Sequence, residues 1–160
     1  LRFLAKGALL DRAELPDLRQ NSIRHLAQCG GAITFALQWV GYPSEAVPQL
    51  GLWVPGQVPV LCEPRPEDAF AMQGHAGSTA ATGDRVLVTS PRGGVATILA
   101  GDGTPVAFHR RADLCVAAVA AGGFVVTEGL GAVWAADDDG LFALARGRIR
   151  WDNHPVAPGA

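Results

Sequence analysis

The feature that most constrains what this chain can fold into is the spacing of its chain breakers. Twenty glycines and eleven prolines in 160 residues leave only short apolar runs between them. No segment survives that is long enough to show a 3.6-residue period, and the remaining runs are of the β-branched or alternating kind. The one stretch with room for a helix, Leu15 to Cys29, is interrupted by Pro16 and by Asn21-Ser22. Asp17 to Gln20 is therefore expected to form a single turn at most, followed by a strand. The sequence reads as all-β.

The strand runs come in groups of four. Ile23–Gln28, Ala32–Val40, Leu50–Val54 and Val58–Cys62 form the first, with Cys29-Gly30-Gly31 and Pro55-Gly56-Gln57 as turns and a proline-bearing loop over Gly41 to Pro48. Gly77–Ala81, Arg85–Ser90, Gly94–Ala100 and Pro105–His109 form the second. Leu114–Val119, Phe124–Thr127, Ala132–Ala136 and Leu141–Ala145 form the third. A hairpin of Leu1–Ala5 and Ala8–Glu14 precedes them, and Ile149 to Asn153 reads as one last strand. Glycine tolerates the positive φ of tight hairpins, and its turns recur from Gly83 to Gly122 and from Gly94 to Gly131, just under 40 residues apart. Four-stranded propeller blades repeat every 40–45 residues or so, whereas a β-sandwich gives similar strands without that period. The expectation is a β-propeller fragment of about three and a half four-stranded blades, occupying residues 1–160 as a partial ring.

Composition narrows the function. A formal net charge of −2 argues against a nucleic-acid partner, which needs a basic face. Arg24, Arg110, Arg111, Arg146, Arg148 and Arg150 do not form a basic helix, and most read as solvated surface. No run approaches the roughly 18 apolar residues of a membrane span. Three separated cysteines, Cys29, Cys62 and Cys115, leave an odd thiol and read as buried apolar residues rather than as a disulfide framework.

Strong catalytic motifs are absent: no HExxH, no GxxxxGK and no GxSxG. Asp137-Asp138-Asp139-Gly140 superficially resembles a calcium loop but lacks the later glutamate, so a hairpin turn is expected. His25, His75, His109 and His154 show no metal-ligand spacing, and no metal or cofactor is assigned. Arg92, in the turn Ser90-Pro91-Arg92-Gly93-Gly94, has the planar fork that clamps a carboxylate or phosphate.

Several strings resemble a bacterial family known as domain of unknown function 1513. They are Ser22-Ile-Arg-His-Leu26, Gln38, Ala76-Gly-Ser78, Thr89-Ser-Pro-Arg-Gly-Gly94, Asp113-Leu-Cys115, Gly123-Phe124 and Trp151-Asp-Asn-His154. Gln73-Gly-His75 and Val116 depart from the pattern. The resemblance implies a seven-bladed propeller in chains more than twice this length, exported to the periplasm behind a twin-arginine leader. It also implies an association with iron acquisition, and it places this chain, which begins at Leu1, as the C-terminal half.

The expected function is a periplasmic binding or scaffolding protein working beside iron-uptake proteins. Its ligand-binding patch is expected at Arg24, His25, Arg92, Asp113 and His154, polar residues at strand ends or turns. In a competing structural reading, Arg24, Asp113, Asn153 and His154 make hydrogen bonds between blades. Two other functions are weighed: a periplasmic enzyme, oxidoreductase or hydrolase, with a metal or redox centre in the propeller channel, and a structural assembly unit. The expected partner is a second copy of the chain or the missing N-terminal half, since an open ring leaves edges and faces bare.

Overall fold

The structure, a computed structural model, describes residues 2–5, 8–15, 20–42, 44–148 and 150. A two-stranded hairpin, β1 (Arg2–Ala5) and β2 (Ala8–Arg12), comes first. Three four-stranded antiparallel sheets follow. The first is β3 (Asn21–Cys29), β4 (Ala32–Trp39), β5 (Leu50–Trp53) and β6 (Val60–Leu61). The second is β7 (Ser78–Thr82), β8 (Arg85–Ser90), β9 (Val95–Ala100) and β10 (Pro105–Arg110). The third is β11 (Leu114–Ala120), β12 (Gly123–Glu128), β13 (Ala132–Ala136) and β14 (Leu141–Arg146). Within each sheet the spatial order follows the chain order, because most strands join their neighbours through short turns, the β4–β5 loop being longer. Gly30 and Gly83, at φ 57° and 58°, supply the left-handed residue that such turns need.

The expected propeller fragment is corrected by this arrangement. The three sheets are separate and open, each with two edge strands, and none curls round to close. Glycine turns at a 40-residue spacing report a hairpin-connected unit of four strands; they carry no information about closing such units into a ring. The coarser expectation stands: the chain is mostly β and built of repeated antiparallel sheets. The enzyme reading with a centre in a propeller channel loses that channel. The expected strand over Ile149–Asn153 and most of the turn at Asp17–Gln20 lie outside the described residues.

One element was not expected. A helix, α1 (Pro66–Met72), joins the first sheet to the second, with proline at its start, Glu67 and Asp68 in its first turn, and Gln73 as a left-handed C-cap. Proline pre-sets φ where no N–H is needed, and carboxylates suit the positive end of the helix dipole. Arg65 Nε donates to Asp68 Oδ2 at 2.6 Å.

The sheets pack side by side, with β7 between β3 and β11. One apolar cluster (Leu50, Leu52, Met72, Val86, Val88 and Leu99 among others) fills the space between the first two sheets. A second, including Leu87, Ile98, Leu114, Phe124 and Val126, joins the second to the third. The other face of the first sheet buries Phe35, Leu37 and Trp53 under Ala13 and Leu15.

Buried side-chain hydrogen bonds also bridge the sheets. Thr89 Oγ1 donates to the Cys115 carbonyl at 2.8 Å, and Ser78 Oγ accepts the Ala117 N–H at 3.3 Å. Thr89 is wholly buried, so Thr89→Val keeps the shape but strands a buried carbonyl. The expected loss is about 1–3 kcal/mol, read as a shifted urea midpoint at unchanged slope. An unshifted midpoint would show that this bridge contributes nothing.

Candidate functional site

An open cleft of about 680 Å³ lies at one end of the second and third sheets. Two connections and two strand ends build it. The β8–β9 turn supplies Arg92, Arg110 ends β10, the β10–β11 connection supplies Arg111 and Asp113, and Glu128 closes β12. The connections are locked by backbone contact: Arg111 N–H donates to Gly94 O at 2.8 Å, and Gly129 N–H donates to Asp113 O at 3.1 Å.

The charges in this cleft are unevenly satisfied. Arg111 Nη2 lies 3.5 Å from Glu128 Oε2, and its guanidinium stacks 4.2 Å above the Trp134 ring. Trp134 Nε1 donates to the same Glu128 oxygen at 3.3 Å. Asp113 accepts from the Cys115 thiol at 3.3 Å; its φ of 58° and its packing against Gly129 fix it further. Arg110 lies over the Phe108 ring, 5.1 Å from its centroid, and makes no ion pair among the described residues. Arg92 is exposed and makes no hydrogen bond or ion pair among the described residues. Two guanidinium groups thus line the cleft with no ion pair among the described residues, and guanidinium is the side chain best suited to a carboxylate or phosphate.

A second group of residues responds to one of these arginines, Arg92, and to Arg24 outside the cleft. His75, half-buried beside Gln38 (Nε2 to Nε2, 3.1 Å), has its pKa lowered from 6.5, first by burial, then by Arg92 and Arg24. Gln38 Nε2 also donates to Ala76 O at 3.2 Å, so His75 Nε2 accepts and the ring is neutral. Because the folded value is depressed, His75's contribution to stability is present above the unfolded pKa. It is lost as pH falls through the folded value. An NMR titration of the His75 ring is expected to have its midpoint below 6.5, moved upward by Arg92→Ala. A midpoint at or above 6.5 in the unsubstituted protein would refute this electrostatic link.

The structure brings together some of the expected site residues and separates others. Arg92 and Asp113 line one cleft, and Arg24 and Arg92 both act on His75. His25 is half-buried on β3 opposite Ala36 and does not line the cleft. His154 lies outside the described residues. Asp113 serves structure first, through Cys115 and Gly129. Arg110, Arg111 and Glu128 were missed as site residues; the signal for the two arginines was their adjacency at a strand end, one residue short of Asp113.

Other candidate chemistry has plain structural explanations. Asp137 Oδ1 accepts the Asp139 and Gly140 N–H groups at 2.9 and 3.0 Å, closing a hairpin turn, and Asp138 pairs with Arg85 of the second sheet at 3.0 Å. His109 Nε2 lies 2.8 Å from Asp137 O. The three cysteines are free and buried. Burial pushes Cys62 up to about 12 and Cys115 to about 11, so both stay thiols, poor nucleophiles and ligands. Among the described residues, no three His, Cys, Asp or Glu side chains cluster to hold a metal ion.

Comparison with known proteins places the chain as follows. The model of a family described as "Protein of unknown function (DUF1513)" matches residues 1–157. No curated protein matches the sequence. The crystal structure of a computationally designed protein, Ika4, is similar with a TM-score of 0.52, covering 89% of this chain and 79% of that one at 16% identity. That likeness is one of fold alone. The family description assigns no function, so the iron-uptake and periplasmic expectations gain no support from it.

Proposed function

Since the chain belongs to the DUF1513 family of proteins of unknown function, we propose, from its own geometry, that it is a binding protein whose cleft takes a small acidic ligand. One observation carries the reading: Arg92 and Arg110 border the same 680 Å³ cleft without a carboxylate partner among the described residues. Arg111 is already neutralised by Glu128 and held flat on Trp134, which makes it a wall of the site more than a clamp. A carboxylate or phosphate between Arg92 and Arg110 would gain charge-assisted hydrogen bonds. Its negative charge would also offset the cationic field that disfavours protonation of His75.

Calorimetric titration with citrate and with inorganic phosphate, beside uncharged glycerol, tests this. Binding of an acidic probe and none of glycerol is expected, weakening as salt is added. Arg92→Ala and Arg110→Ala should each lower affinity about 10- to 100-fold, the equivalent of one hydrogen bond to a charged group. Absence of binding by either acid, or affinity unchanged in both variants, would overturn the proposal.

A further inference from the structure

A small pocket where the first sheet, the second sheet and α1 meet is lined by polar groups left unmatched among the described residues. Its volume is about 20 Å³, and its walls include Gln49 just before β5, Thr97 on β9, Asp68 and Met72 on α1, and Cys62. Gln49 is 3% exposed and Thr97 5%. Both side-chain amide atoms of Gln49 and the Thr97 hydroxyl are buried with no hydrogen-bond partner among the described residues. Buried polar groups in folded proteins are matched almost without exception, and the exceptions call for a bound water or ion.

From this convergence we infer that the cavity is a binding site for one internal water molecule, bridging Gln49 on the first sheet to Thr97 on the second. Size and chemistry agree on that ligand. A cavity of roughly 10–15 Å³ is enough for one water, which needs two to four polar partners. The unmatched set contains a donor in the Gln49 NH₂, an acceptor in its carbonyl, and a hydroxyl that serves as either. Water both donates and accepts, and it is small enough for a volume of about 20 Å³. A cation would satisfy the oxygens but face the Gln49 NH₂, and an apolar molecule would match none of them. The site is separate from the cleft and does not depend on the acidic-ligand reading. It gives the junction under α1 a polar pin within an otherwise apolar cluster.

Two measurements on the intact chain test it. Water–protein NOEs are expected from a long-lived water to the Gln49 side-chain amide protons and to the Thr97 methyl. A crystal structure should show a single solvent peak within hydrogen-bond distance of both side chains. In Thr97→Val the peak should persist on Gln49 alone; in Gln49→Leu with Thr97→Val, the NOEs should fall to background. A dry cavity, a peak that refines as a metal cation, or Gln49 and Thr97 bonded directly to each other would each overturn the inference. The unsubstituted protein decides these outcomes even where the double variant does not fold.

Discussion

Replacing Gly93 with alanine is expected to destabilise the protein by about 3 kcal/mol and to disable the cleft in the same step. A Cβ at this position would run into the Ala71 carbonyl and approach the Met72 Cα at 3.0 Å. Both obstacles are backbone atoms of α1, which cannot swing aside as a side chain can. The neighbouring contacts belong to the same junction: Ser90 Oγ donates to Met72 O at 2.8 Å and accepts the Gly93 N–H at 3.2 Å. Relief of the clash must push the Arg92 turn off α1, breaking buried hydrogen bonds and moving one of the two free guanidinium groups. Thermal melting and citrate titration should fall together. Gly122→Ala separates this effect from ordinary glycine strain. Its φ is +83° but nothing lies within 4 Å of the added carbon, so about 1–2 kcal/mol should be lost with citrate affinity unchanged. Equal melting losses in the two variants would show that the Gly93 turn is not closely held.

Trp53→Ala should have a still larger effect on stability, about 3–5 kcal/mol. Trp53 is 1% exposed and packs with Phe35, Leu37 and Ala13 on the outer face of the first sheet. Its Nε1 donates to Gln57 O at 3.1 Å, fastening the β5–β6 turn. Truncation empties an aromatic-sized space and strands that carbonyl. For a chain of this length each kcal/mol corresponds to about 2–4 °C, so a fall in Tm of roughly 10 °C is expected by calorimetry. The acidic-ligand affinity measured below the transition should hold, because Trp53 lies in the first sheet and outside the cleft. A Tm within a degree or two of the unsubstituted protein would mean that this face is not the packed layer described.

Strands with unambiguous punctuation were legible at residue level. Arg85–Ser90 and Ala132–Ala136 have the bounds the sequence predicts, because a glycine or aspartate turn flanks each and the interior is β-branched or small and apolar. Val58–Cys62 shrank to Val60–Leu61; the Pro59 that lacks an N–H also limits pairing. The seven-residue α1 escaped notice because it is barely two turns long, too short for a helical period, although Pro66, Glu67 and Asp68 are standard start signals. The propeller expectation failed at a different level, since repeat length constrains the unit and not its assembly. The site was half legible. Arg92 and Asp113 sit in strings that mark turns, whereas the importance of Arg110 and Arg111 depends on a β8–β9 turn some twenty residues away in sequence being brought alongside.

The side-by-side packing of the sheets sets unequal resistance to local opening. The second sheet shares an apolar cluster with a sheet on either side, and the first is capped by Ala13 and Leu15. Among the described residues, the third has one face without such a cover. There Ala118, Val125, Ala135 and Phe142 align across all four strands, and Phe142 is 52% exposed. Every β14 side chain after Leu141 is exposed, so separating that strand uncovers little new surface. Amide hydrogen exchange is therefore expected to follow a gradient: β14 should open first at small free-energy expense, and β7 and β8 only with the whole molecule. Glu128 and Trp134, which hold Arg111 flat in the cleft, belong to that more labile third sheet. Arg92 is borne by the most protected one, so the cleft joins a rigid wall to a yielding wall.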